Sequence, residues 1–348
     1  MRKLLTVEKG RPSADIRELL SANIIGTPGQ SLVYQHTRVG DKLDAIDRSF
    51  FLSVRLGSKA IGACCFIPRT VYIRANGVDA FYIRYFSFRN SFRASSKPYK
   101  HLSRKTSALR DEITQCLDGD GLNKIKPLAY AYVDESNFRS KDIIDSFGFK
   151  KIGSFKVKFL SRFFPKEHGS VEEIQAKELG EFKKRVEEEY AEHSFVALDN
   201  IGFENGAYVF NENGRIVAGI QTYKERWKIH EVPGSTRLLS IVSIIPLIKT
   251  IFNRDFRFLS IEGFFCHQGY EHTLEPLIET ALARSNRNTA VACVDHNSLF
   301  YNRLCDIPTG VIQYMTKEKE IALVARGRQD ALDWLSKRPI YVSSFDNM

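Results

Sequence analysis

The sequence predicts an α/β (α+β) fold in two similar domains, each a mixed, twisted sheet flanked by helices. Three observations carry this expectation. Leu128 to Phe149 reads as an apolar strand running into Asn137, then a short helix, then Gly148-Phe149. A looser copy recurs at Thr289 to Leu304, where an apolar strand, Asp295 and Asn297 again precede a short amphipathic helix. Segments of period two alternate with segments of period 3.6 along the chain.

Residues 2–8 predict a first strand, and Ser13 to Asn23 a helix with Ser13 as its cap. Ser49 to Arg55 and Lys59 to Ile73 read as strands joined at Gly57, rich in aromatic and β-branched residues. Ala80 to Phe88 is a further aromatic strand, followed by a basic loop and a helix from Leu102 to Leu117. Leu128 to Val133, Ser140 to Phe147 and Lys150 to Arg162 complete the first half as strand, helix and strand. In the second half, Val171 to Glu192 predicts a helix, and Gly206 to Phe210 with Gly214 to Glu225 a hairpin. An apolar helix at 238–252, a strand at Phe256 to Phe265 and a helix at Thr273 to Arg284 follow. Beyond the second strand-helix unit, Gly310 to Met315 and Glu320 to Ala325 read as strands, Gln329 to Leu335 as a helix, and Ile340 to Val342 as a last strand.

Pro165 and Gly169 interrupt the pattern, which sets the expected domains at 1–166 and 167–348, the second carrying the apolar helix near 238–252 as an insertion. The charge balance changes sign at the same place. Residues 1–168 hold 30 Lys and Arg against 16 Asp and Glu, and the remainder 21 against 25, within a net charge of +10. Between Asp79 and Asp111 there is no carboxylate, yet Arg84, Arg89, Arg93, Lys97, Lys100, Arg104, Lys105 and Arg110 are present. Such a window attracts anions, and its placement from a strand end to a helix start adds backbone N–H groups and the helix dipole.

A composition of 43% hydrophobic and 26% charged residues suits two ordinary cores and excludes a disordered chain. The N-terminus lacks the apolar stretch of a secretion signal. The longest apolar run, Leu238 to Phe252, falls short of the ~20 residues that span a bilayer and contains Pro246 and Lys249. No membrane partner is expected. Six cysteines without a CxxC pair read as reduced, buried thiols, which points to the cytoplasm. His267, His272 and His296 lack metal-ligand spacing, so no metal is expected.

The element order, with Asn137 and the later Gly148-Phe149 pair, resembles the GNAT superfamily of acyl-CoA-dependent N-acyltransferases. That family joins its fifth and sixth strands through an N-x-x-A-x-x-x-Y-x-x-x-G-F pattern. Asn137 stands at the Asn position, Ser140 at the small residue and Ile144 at the Tyr, the family's frequent general acid. In the second half, Tyr301-Asn302-Arg303-Leu304-Cys305 resembles Tyr-x-x-Leu-Gly, with Tyr301 on the Tyr position. The family's pyrophosphate loop is matched only loosely, by Arg93 to Lys97 without a glycine and by His267 to His272 with Gly269 and an added Glu271.

The resemblance implies an N-acyltransferase, most simply an N-acetyltransferase, using acetyl-CoA or another acyl-CoA as co-substrate and an amine-bearing small molecule or peptide as acceptor. For the cofactor it points to the first half. Phe86, Ser87 and Phe88 would run beside the pantetheine arm, Arg93, Ser95, Ser96 and Lys97 would cradle the pyrophosphate, and Asn137 would bond the arm. For proton handling it points to Glu262 as base and Tyr301 as acid in the second half. Period-two core packing of Phe86 and Phe88, capping by Asn137, and ordinary packing or pairing of Glu262 and Tyr301 stand beside these roles. Two other functions stay open. One is a catalytically degenerate CoA- or ligand-binding protein of the same fold; the other is nucleic-acid binding by the basic, aromatic first half.

Overall fold

The computed structural model describes residues 5–29, 31–46, 48–74, 76–89, 128–135, 137–232, 246–315 and 319–347. The helix expected from Leu102 to Leu117, and the expected apolar helix before Pro246, lie outside them. In chain order the elements are β1 (Leu5–Lys9), α1 (Ala14–Ser21), β2 (Ile24–Ile25), β3 (Val33–His36), α2 (Val39–Ala45), β4 (Phe50–Leu56), β5 (Lys59–Ile73), β6 (Asn76–Phe88), β7 (Leu128–Asp134), α3 (Phe138–Ser146) and β8 (Lys150–Ser161). There follow β9 (Val171–Glu173), α4 (Leu179–Glu189), β10 (Ala207–Glu212), β11 (Arg215–Glu231), α5 (Pro246–Ile251), β12 (Asp255–Cys266), α6 (Leu274–Arg284), β13 (Thr289–Val294), α7 (Leu299–Cys305), α8 (Val311–Met315), β14 (Lys319–Arg326), α9 (Gln329–Leu335) and α10 (Ser344–Asn347).

The chain forms two compact units, and neither is a single run of sequence. The first contains residues 1–24, 35–152 and 322–336; the second contains 25–34, 153–321 and 337–348. A single boundary near residue 166 was the expectation. The main division instead falls inside β8, after Ile152, and each unit takes a segment from the far side of it.

In the first unit the strands run β1-β4-β5-β6-β7, with β14 from Ala322 onward beside β7. β1 to β6 pair antiparallel, and β6 with β7 parallel. The alternation of β4 and β5 puts Leu52, Cys64 and Phe66 into one core with Leu5, Ala129, Val133 and Phe149. Ala322 and Val324 of β14 join that core, so the apolar face is finished by residues from near the C-terminus. The start of α1 is held by charge. Ser13 gives no side-chain cap bond, contrary to expectation; its hydroxyl donates to Asp15 (2.7 Å) and its N–H donates to Glu8 (2.9 Å). Arg55 donates to both carboxylates, at 2.8 Å to Glu8 and 2.9 Å to Asp15.

In the second unit the order is β9-β10-β11-β12-β13, with β8 beside β13. β9 to β12 pair antiparallel, β12 with β13 parallel, and β13 with β8 antiparallel. β10 and β11 turn at Asn213-Gly214, both at positive φ as a two-residue hairpin requires. The core packs α4 and α6 on this sheet through Phe182, Val186, Leu274, Leu277 and Ile278. Three expectations are corrected here. Val171–Glu173 is a strand, because it finds a ladder partner in β10, and the helix begins only at Leu179. Val311–Met315 is helical despite its β-branched content. Ile340 makes only an isolated bridge to Ser194 rather than a last strand.

Candidate functional site

Both units carry the same interruption in the same place. In the first, Ala63 pairs with Ser87 and Cys65 with Arg84, so Tyr85 and Phe86 together oppose Cys64. In the second, Gly219 pairs with Phe265 and Gln221 with Glu262, so Gly263 and Phe264 oppose Ile220. The first bulged residue is left-handed in each case, Tyr85 at φ 57° and Gly263 at φ 59°. A bulge bends its strand and ends regular pairing nearby. Accordingly β6 pairs with β7 only from Ala80 to Tyr82, and β12 with β13 only from Leu259 to Ile261. Beyond those residues the pairing of the parallel strands ends in both units. An aromatic residue such as Tyr85 pays for the left-handed region, and such strain concentrates at functional sites.

In the first unit, Phe86 is 43% exposed at the bulge and meets Phe88 edge-on at 5.1 Å. The Phe88 ring lies flat on Gly62, where a Cβ would come within 2.4 Å of it. Ser87 faces the other way and is buried, its hydroxyl bonding Asn23 Oδ1 at 3.1 Å. Asn137 caps α3, its Oδ1 accepting from the Ser140 N–H at 3.2 Å. The Gly148-Phe149 pair has a matching role. Gly148 is left-handed, the Phe149 N–H returns to the Ile144 carbonyl, and both side chains pack on the core. The motif read in the sequence thus starts and stops a helix. Arg93, Ser95, Ser96 and Lys97 lie outside the described residues.

In the second unit the cleft where β12 and β13 cease to pair is filled by the chain itself. Ile340, Tyr341 and Val342 meet Glu262, Gly263 and Phe264 on one side and Cys293, Val294 and Asp295 on the other, around a residual cavity of about 10 Å³. That is space for at most a water molecule. The segment is fixed by the Ile340 N–H donating to Asp295 (2.7 Å) and the Tyr341 N–H donating to the Ser194 carbonyl (2.9 Å). Glu262 completes the anchorage. Its buried carboxylate accepts from the Tyr223 hydroxyl (2.9 Å), the Ser343 hydroxyl (3.0 Å) and the Phe345 N–H (2.9 Å). Burial pushes its pKa up to about 7, against the bond from Phe345 and with help from Asp346.

Glu262 and Tyr301 are not brought together, since the three groups just named take up the carboxylate. Tyr301, half-buried on α7, accepts from Lys156 Nζ at 3.2 Å, and Lys158 Nζ lies 4.7 Å from its ring centre. These two lysines were missed in the sequence. Their signal was the Lys-Val-Lys alternation in β8, which puts both on one face of the sheet. Beside the loop after β12, which carries Gly269, Arg303 is held between Glu189 (3.3 Å) and Glu271 (3.7 Å).

No family model and no curated protein matches the sequence. Solved structures do resemble the fold. Saccharomyces cerevisiae N-myristoyltransferase with bound myristoyl-CoA matches at TM-score 0.58 and 9% identity, over 99% of this chain and 86% of that one. A second structure of the yeast enzyme with myristoyl-CoA gives 0.57 and 11%, over 99% and 90%. A GCN5-related N-acetyltransferase from Anabaena variabilis gives 0.48 and 10%, over 92% and 72%. At this identity the likeness is one of fold: the chain shares the mixed α/β architecture of the yeast N-acyltransferase.

Proposed function

We propose that the chain is an acyl-CoA-dependent N-acyltransferase that holds its acyl-CoA in the first unit, with acetyl-CoA the simplest donor. The observation that carries this is the strained bulge at Tyr85, beyond the point where the pairing of β6 with β7 ends. The equivalent cleft of the second unit holds the chain's own residues 340–342. The basic sequence from Arg84 to Arg110 follows the first bulge directly, whereas Glu189 and Glu271 flank the second. In this reading the two units are tandem copies of one ancestral domain, supported by their shared order of antiparallel and parallel pairings. The buried thiols Cys64, Cys65, Cys266 and Cys293 suit a reducing, cytoplasmic setting.

The chemistry is direct. The amine nitrogen of a small molecule or peptide attacks the thioester carbonyl, a C–N bond forms and the C–S bond breaks. The amine gives up a proton and the leaving thiolate takes one. Backbone N–H groups near the Tyr85 bulge would stabilise the oxyanion of the tetrahedral intermediate. The likeness to an enzyme with bound myristoyl-CoA supports a CoA thioester as donor, and the acyl chain is the open variable.

Calorimetric titration with acetyl-CoA and with longer acyl-CoAs tests this, using wild type, Lys97→Glu and Gly269→Glu. The expected result is saturable binding weakened at least tenfold by Lys97→Glu and unchanged by Gly269→Glu. The reverse pattern, with turnover lost in Tyr301→Phe, would move the donor to the second unit, and no binding of any acyl-CoA would remove the reading. A second reading, a CoA-binding protein without turnover, is favoured by one observation. Ile144 stands at the family's Tyr position and packs against the core. CoA release in the presence of an amine pool decides against it.

A further inference from the structure

The second unit has another cavity, at the opposite end of the strands from its filled cleft. It measures about 290 Å³ and is lined by Lys249 and Thr250 of α5, Asn253, Asp255 and Arg257 around the start of β12, and Asn286 to Asn288 in the turn before β13. β12 runs from Asp255 here to the bulge at Gly263, a separation of about 25 Å at strand rise. The cavity is therefore separate from the filled cleft of its own unit.

Its lining is polar and cationic. Lys249, Arg257 and Arg287 face one carboxylate, Asp255. That carboxylate is already engaged by Arg226 and by both Nε (2.9 Å) and Nη2 (2.7 Å) of Arg257. Arg287 is placed by the end of α6. Asn286 is left-handed there, its N–H returns to the Ala283 carbonyl, and the Arg287 N–H returns to the Leu282 carbonyl, which together close the helix. The Arg287 side chain then donates from Nη1 to the carbonyls of Asn286 (2.9 Å) and Ser285 (3.4 Å). Its Nε is buried and has no acceptor. A buried, unmade hydrogen bond on a charged group is costly. Burial and the neighbouring Arg257 charge lower the Arg287 pKa and prevail over Asp255, which acts the other way.

We propose that this cavity is a binding site for a small oxyanion, a phosphate or carboxylate group, held by Arg287 and Arg257 with Lys249 at its mouth. A guanidinium fork matches such a group in charge and geometry. Asn286 would add an amide contact to the rest of a small polar molecule, which the volume suits. Its separation from the filled cleft of the same unit makes this an effector site rather than a substrate site, and it stands independently of the acyl-transfer reading.

The test is calorimetric titration of the full chain with inorganic phosphate, with acetate and citrate in parallel and chloride as the control at matched ionic strength. Saturable binding of one of these oxyanions is expected, weakened at least tenfold in Arg287→Gln and within twofold of wild type in Lys97→Glu. Preference for phosphate over the carboxylates, or the reverse, identifies the group. Lys249→Glu, a reversal at an exposed position, decides the matter if Arg287→Gln does not fold, and at least tenfold weaker binding is expected. No saturable binding of any oxyanion overturns the proposal. So does binding lost in Lys97→Glu yet intact in Arg287→Gln, or wild-type affinity in a folded Lys249→Glu.

Discussion

Glu262 ties the C-terminal segment to the second sheet, and its raised pKa makes that tie depend on pH. The folded value of about 7 lies above the ordinary 4.5. The contribution is therefore complete below about pH 4.5 and is lost as pH rises through 7. Protection of the Phe345 amide against hydrogen exchange, relative to its intrinsic rate at each pH, is expected to fall between pH 6 and 8, and Glu262→Gln to flatten that dependence. Asp15 has the opposite sign. Burial alone would raise its pKa, but the bonds from Ser13, the Ala60 N–H and Arg55 prevail and hold it at about 2. Its stabilisation is present above about pH 3.8 and lost as pH falls through 2, and Asp15→Ala at neutral pH is expected to cost about 1 kcal/mol in a denaturant melt. At Gly263 the left-handed backbone and the Ile201 side chain 3.1 Å from any added Cβ both oppose a larger residue. Gly263→Ala is expected to cost about 1–2 kcal/mol by the same measurement.

At the scale of elements, the strands were legible wherever alternation was clear. β5 and α9 were read with their observed bounds, and β4, β7 and β12 to within a residue at each end. The failures have physical causes. Val171–Glu173 was absorbed into a Glu- and Lys-rich helix pattern, since a three-residue strand is decided by its partner rather than its own sequence. Val311–Met315 is a case of tertiary context overriding propensity. Asn137 was correctly suspected as a cap. The burial of Glu262 was not visible, because its partners Tyr223, Ser343 and Phe345 are far away in sequence. The cavity at Arg287 was hidden for the same reason. Deleting residues 337–348 removes Ile340, Tyr341, Val342 and Phe345, all buried. The thermal midpoint is expected to fall by about 5 °C or more, with dye binding to the opened apolar cleft.

At the scale of the whole molecule, the interrupted make-up of the units has consequences for dissection. A cut near residue 166 would deprive the first unit of Ala322 and Val324, and the second of Gly153 to Ser161. Fragments 1–166 and 167–348 are therefore expected to be unfolded or aggregated alone and to recover structure only when mixed or co-expressed, as circular dichroism and gel filtration would report. A well-folded 1–166 fragment would contradict the assignment of β14 to its core. Among the described residues no helix is long and apolar enough to cross a membrane.

The late arrival of β14 also bears on how the protein is made. The first unit has received its last preceding residue at Ile152, yet the strand that covers β7 ends at Arg326. At ribosomal speeds of about 5–20 residues per second, β7 presents an open edge for roughly 10–30 seconds before its neighbour exists. Synthesis therefore passes through a long, adhesive intermediate in which the basic half waits for the acidic half to be translated. Yield in cells should depend on chaperone supply more than the stability of the finished molecule would suggest.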